Sequence, residues 1–116
     1  MRKINFENYT VTVRSPDGEL RDVPYDVKDS IVGLLFHADL KLSGMELLKQ
    51  NELAGKILHS KDPEILFEEA EYNKIKQAIN VVTGYGRNEV ELVRRVLEAP
   101  AVEVEAKKAL KQVKNG

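Results

Sequence analysis

Only a few residues in this chain have side chains that could run a reaction, and their spacing decides what they can do. His37 and His59 titrate nearest neutrality. Neither stands in a metal-ligand spacing such as H-x-x-x-H. Each falls near an expected helix end, where a cationic ring meets exposed backbone carbonyls. Both are therefore read as structural. Glu68, Glu69 and Glu71 cluster at the start of another expected helix. A metal site or an acid–base pair would use such carboxylates, but no further ligand stands at a defined distance from them. Acidic side chains in a first turn are accounted for by the helix dipole. Serine nucleophile elbows, phosphate-binding Walker loops and dinucleotide fingerprints are absent from the sequence. With no cysteine there is no thiol nucleophile, no thiolate zinc site and no disulfide framework. The expectation is a protein that is not an enzyme, with no catalytic residue, no cofactor and no metal.

The remaining residues of interest suit recognition. Gly84-Tyr85-Gly86-Arg87 forms a loop between two expected helices. Two glycines free its backbone, and tyrosine and arginine are the residue types that dominate interface hot spots. G-x-G alone lacks the glycine and lysine pattern of a phosphate cradle. Arg94 and Arg95, with Lys107, Lys108, Lys111 and Lys114 further on, could form a basic stripe that meets phosphates. No helix-turn-helix, zinc-finger or aromatic single-strand-binding pattern accompanies that stripe.

The elements that must position these residues follow from periodicity. Tyr9, Val11 and Val13 alternate with Thr10 and Thr12 in a strand-like run from Ile4 to Val13. Ser15-Pro16-Asp17-Gly18 is a turn, and Leu20, Val23 and Tyr25 supply the return strand of a β-hairpin. Pro24 places that strand at an edge or close to its end. Asp26 or Asp29 caps a helix whose buried face is Ile31, Leu34, Leu35 and Ala38, with Gly33 marking a close packing contact. Ser43 and Glu46 have capping-box spacing. Behind them Leu47, Leu48, Leu53, Ala54, Ile57 and Leu58 give a helical pattern interrupted in phase at Lys49–Glu52, so one bent helix and two short ones both fit.

Ile65 and Phe67 then suggest a short third strand able to join the hairpin. Tyr72, Ile75, Ala78, Ile79 and Val82 stripe one face of the clearest amphipathic helix in the chain. Gly84 follows it as a left-handed terminator. A last helix is expected from about Asn88, with Val90, Val93, Val96 and Leu97 facing inward, and Pro100 stops it. The fold class is α+β: an N-terminal β-hairpin plus a short third strand packed against about four α-helices, with a partly ordered C-terminal tail. Residues 1–100 form one domain. Residues 101–116 read as a basic tail, disordered or ordered only on a partner or a neighbouring subunit.

Composition narrows the class. At 116 residues the chain is long enough for one real core. Eighteen Lys and Arg against 19 Asp and Glu leave a formal charge of −1, which argues against strong non-specific attraction to nucleic acid. No apolar run approaches the roughly 20 residues of a membrane span, and no signal-peptide core follows Met1-Arg2-Lys3. The expected location is the cytoplasm, away from membranes.

The segments I-N-F-E-N-Y-T-V-T-V, S-I-V-G-L-L-F-H and S-G-M-E-L-L-K-Q-N-E-L-A-G-K-I-L cover about the first half of the chain. In general style this half resembles small proteins of tailed bacteriophages and prophages. That resemblance carries no active residues across, and it implies an accessory or assembly role. The function expected is therefore a small protein-interaction or assembly module with a protein partner or self-association. The alternative is a nucleic-acid-associated regulator using the C-terminal basic stripe.

Overall fold

The strand-like run from Ile4 to Val13 divides in two. In the computed structural model, which describes residues 1–103, β1 spans Arg2–Asn5 and β2 spans Tyr9–Arg14. Asparagines turn the chain between them: Asn5 Oδ1 accepts from the Glu7 N–H at 2.8 Å, and Asn8 Oδ1 accepts from the Val27 N–H at 3.0 Å. β2 pairs antiparallel with β3 (Leu20–Tyr25), from Tyr9 opposite Tyr25 to Arg14 opposite Leu20. The turn closes as its residues dictate. Ser15 N–H donates to the Glu19 carbonyl at 2.8 Å, and Gly18 takes the left-handed φ of +88° that a three-residue hairpin loop requires. No residue of β2 or β3 is fully buried, and only Tyr9 and Tyr25, stacked at 4.9 Å, pack against the core. The hairpin is an arm held at its base.

Helix α1 (Val27–Leu35) starts where the Asp26 carboxylate accepts from the Asp29 N–H at 3.0 Å. Val27, Ile31 and Leu35 are buried; Ala38 lies beyond the helix and is exposed. Gly33 has open space where a Cβ would stand, so it marks no close contact. Helix α2 is one continuous helix, Gly44–His59, opened by the Ser43–Glu46 capping box with both bonds at 3.2 Å. Its buried stripe is Gln50, Leu53, Ala54 and Ile57, spaced three, one and three. Gln50 supplies the beat that seemed missing: it sits in the core and donates from Nε2 to the Leu35 carbonyl at the end of α1, at 3.1 Å. Leu47, Leu48 and Leu58 face outward instead.

Strand β4 (Glu64–Phe67) does not join the hairpin. It pairs antiparallel with β1, setting Ile65 opposite Ile4 and Phe67 opposite Arg2. The apolar side chains decide this, because Ile4, Phe6, Ile65 and Phe67 bury together while Lys3 and Glu64 pair at 3.0 Å on the other side. Helix α3 (Glu69–Val81) buries Tyr72, Ile75, Ala78 and Ile79 as its period requires, and Val82 just beyond. Tyr72 donates its hydroxyl to the Val96 carbonyl at 2.7 Å, tying α3 to helix α4 (Val90–Leu97). The inward face of α4 is Leu92 and Val96. Val90 remains 51% exposed and Leu97 39% exposed, while Val93 is half-buried against the core, so the expected inward stripe holds at Val96 and in part at Val93.

After α4 the chain returns to the free edge of β1. Lys3 N–H donates to the Pro100 carbonyl at 3.1 Å, Val102 N–H to the Met1 carbonyl at 2.7 Å, and Ala101 bridges Arg2. Ala101 and Val102, the first residues of the expected tail, are thus bonded to β1. Lys107, Lys108, Lys111 and Lys114 lie outside the described residues.

Candidate interaction surface

The end of α3 fixes the Gly84–Arg87 loop. Val82 leaves the helix in extended conformation with its N–H still bonded to the Ala78 carbonyl at 3.1 Å, and Gly84 reverses the chain at φ +95°. The last carbonyls of a helix have no partner within it. Tyr85 answers one of them, donating its hydroxyl to the Ile79 carbonyl at 3.0 Å. Its ring is half-buried, and burial pushes its phenol above the ordinary 10.0. Gly86 N–H donates to Glu89 Oε1 at 3.0 Å, and a 3-10 turn over Arg87–Glu89 leads into α4.

The sequence-derived arginines separate into different roles. Arg95 turns inward: it donates to the Asn5 and Glu7 carbonyls at 3.0 and 2.6 Å and to Glu91 at 2.9 Å, and it stands 5.1 Å over the Tyr9 ring. It holds the hairpin base to α4, aided by the Tyr9 hydroxyl, which donates to the Asn88 carbonyl at 2.6 Å. Burial raises the Tyr9 phenol as well. Arg94 lies outward between Glu91 at 3.6 Å and Glu98 at 3.8 Å. Arg87 is exposed, and no ion pair engages it among the described residues.

Around this loop the surface is grooved. Tyr85, Val90, Val93 and Leu97 line a cleft of about 440 Å³ rimmed by Glu89, Arg94 and Glu98. On the other side of the Tyr85 ring a second cleft, about 420 Å³, runs past Tyr25, Leu34 and His37. A third, about 540 Å³, separates β2 from Arg87, Val90 and Arg94. Arg94 thus borders the first and third clefts, Tyr85 the first and second, and Arg87 the third, while Arg95 is turned inward. The outward apolar positions Val90 and Leu97 were missed as surface because α4 carries apolar residues at 90, 92, 93, 96 and 97, which is enough for two stripes. The helix is too short for periodicity to choose between them.

The other candidates have structural roles. His37 caps the 3-10 turn Ala38–Leu40 from its N-terminal side, its Nδ1 accepting from the Asp39 N–H at 3.1 Å. His59 is the last residue of α2. Glu71 accepts from the Glu68 N–H and pairs with Lys56 at 2.8 Å, and Glu69 pairs with Arg2 at 3.2 Å. Among the described residues no three His, Asp or Glu side chains are grouped to hold a metal ion. No helix among them is long and apolar enough to cross a membrane. No protein-family model matches the chain, and no curated protein or solved structure matches it either.

Proposed function

We propose that this is a small non-enzymatic interaction or assembly module of the cytoplasm, which binds a protein partner through the Tyr85 loop and the outward face of α4. One observation carries the reading. Val90, Val93 and Leu97, at helical spacing of three and four, line an apolar cleft beside Tyr85 with no element laid over it among the described residues. A half-buried tyrosine with its hydroxyl already bonded is a rigid anchor, and charged groups at Glu89, Arg94 and Glu98 form the polar rim found at protein interfaces. The accessory role implied by the resemblance to phage proteins agrees with this. Nucleic-acid binding through Arg94, Arg95 and the tail lysines has less support, because Arg95 is turned inward and Arg94 stands between two carboxylates.

The test compares prey captured from host lysate by the wild-type chain and by Leu97→Asp, with circular dichroism confirming that both fold. Specific prey is expected to be lost from the variant, with affinity reduced roughly tenfold or more, as for truncation of one interface anchor. Identical prey at identical affinity would overturn the proposal.

A further inference from the structure

The bond from Ser15 N–H to the Glu19 carbonyl sets the hydrogen-bonding phase of the hairpin. In an antiparallel pair, opposed residues alternate between those that exchange both backbone bonds and those that exchange none. Ser15 and Glu19 continue the register of Arg14 opposite Leu20, so Val13–Arg21, Val11–Val23 and Tyr9–Tyr25 are the bonded pairs. Thr10, Thr12 and Arg14, like Pro24, Asp22 and Leu20 opposite them, turn their backbone groups outward. Pro24 agrees with this phase, since its missing N–H falls where the ladder needs no donor.

The two outer edges are therefore unequal. Pro24 blunts the edge of β3. On β2 every outward donor and acceptor is intact, and among the described residues no backbone group outside the hairpin bonds to Thr10, Thr12 or Arg14. Natural sheets guard such edges with proline, bulges or inward-pointing charge, and β2 has none of these.

We propose that β2 is a self-association edge: two copies pair β2 to β2, antiparallel about a two-fold axis at Thr12, into a four-stranded sheet. The second copy is the occupant because the strand is complementary to itself. Thr10-Val11-Thr12-Val13-Arg14 read about Thr12 sets Val11 opposite Val13 twice on one face and Thr12 opposite Thr12 on the other. Arg14 meets Thr10, so no like charges are opposed. Valine and threonine cross-strand pairs are favourable, and two strands alone are marginal in water where four are not. The second copy's turn then passes beyond Tyr9 toward the groove between β2 and α4 and brings Glu19 toward Arg87, which no ion pair engages among the described residues. Arg94 already stands between Glu91 and Glu98, and Asp17 pairs with Arg21. This edge does not depend on the reading of the α4 cleft.

Light scattering on the full chain over a wide concentration range is expected to show a monomer–dimer equilibrium. Thr12→Lys and Thr12→Glu, each exposed on the strand and each placing like charges opposite themselves, are expected to be monomeric. An equimolar mixture of the two is expected to restore the dimer. In a chain without other cysteines, Thr12→Cys should oxidise to a linked dimer, because opposed Cα atoms in a bonded pair lie about 5.5 Å apart. Thr10→Cys should not, its copies being about 13 Å apart along the strand. Leu97→Asp should leave the dimer intact. A wild-type monomer at every concentration, an undiminished dimer in Thr12→Lys, or equal crosslinking of the two cysteine variants would overturn the proposal.

Discussion

At the scale of single residues, identity alone misassigns Arg95. Two adjacent arginines look like one basic feature, yet a helix turns each residue by about 100°, which sends Arg94 to solvent and Arg95 to the hairpin base. The Arg95 guanidinium serves two carbonyls, one carboxylate and one aromatic face at once. Arg95→Ala is expected to lower stability in urea denaturation by about 2–3 kcal/mol, since charged hydrogen bonds contribute more than neutral ones. Arg95→Lys should recover less than half of that loss, because an ammonium cannot reproduce the planar fork. A variant as stable as the wild type would show that the hairpin base is held by Tyr9 and Tyr25 alone.

At the scale of elements, α2 shows how one polar residue can hide a helix phase. Reading only apolar positions, Leu47, Leu48 and Leu58 compete with Leu53, Ala54 and Ile57 for the core. Once Gln50 is counted as buried, the stripe is regular. The cost of burying its amide is offset by the Leu35 carbonyl, which α1 leaves without a helical partner. Gln50→Leu should therefore destabilise the protein by about 1 kcal/mol despite adding apolar volume, because that carbonyl loses its donor. Denaturant midpoints of the two proteins check this, and a more stable variant would contradict it.

At the scale of the molecule, the chain closes on itself through β1. β4 pairs on one edge of this strand and Pro100–Val102 bond to the other, so the strand at the start of the chain is held on both sides. A chain ending at Glu103 is expected to be more stable than one ending at Pro100 by about 1–2 kcal/mol, reflecting the backbone bonds of Val102 to β1 and the bridge at Ala101. Equal melting temperatures would mean that this closing strand adds nothing. The same layout leaves the hairpin outside the layered body, with β2 and α4 as its open surfaces.

The sequence by itself determined what depends on neighbours within a few residues. The Ser15–Gly18 turn, the Asp26 cap, the Ser43–Glu46 box and the Tyr72–Val82 stripe all form as their spacing dictates, because each is settled by local geometry and one apolar face. The position of Tyr85 and Arg87 just past α3 was legible for the same reason, since the end of that helix was readable. Only the tertiary structure decided which strand β4 would join, which stripe of α4 would be buried, and that Gln50 and Arg95 point inward. Those choices depend on side chains far apart in the chain, Ile4 with Ile65, Gln50 with Leu35, Arg95 with Asn5, whose contacts exist only once the elements have packed.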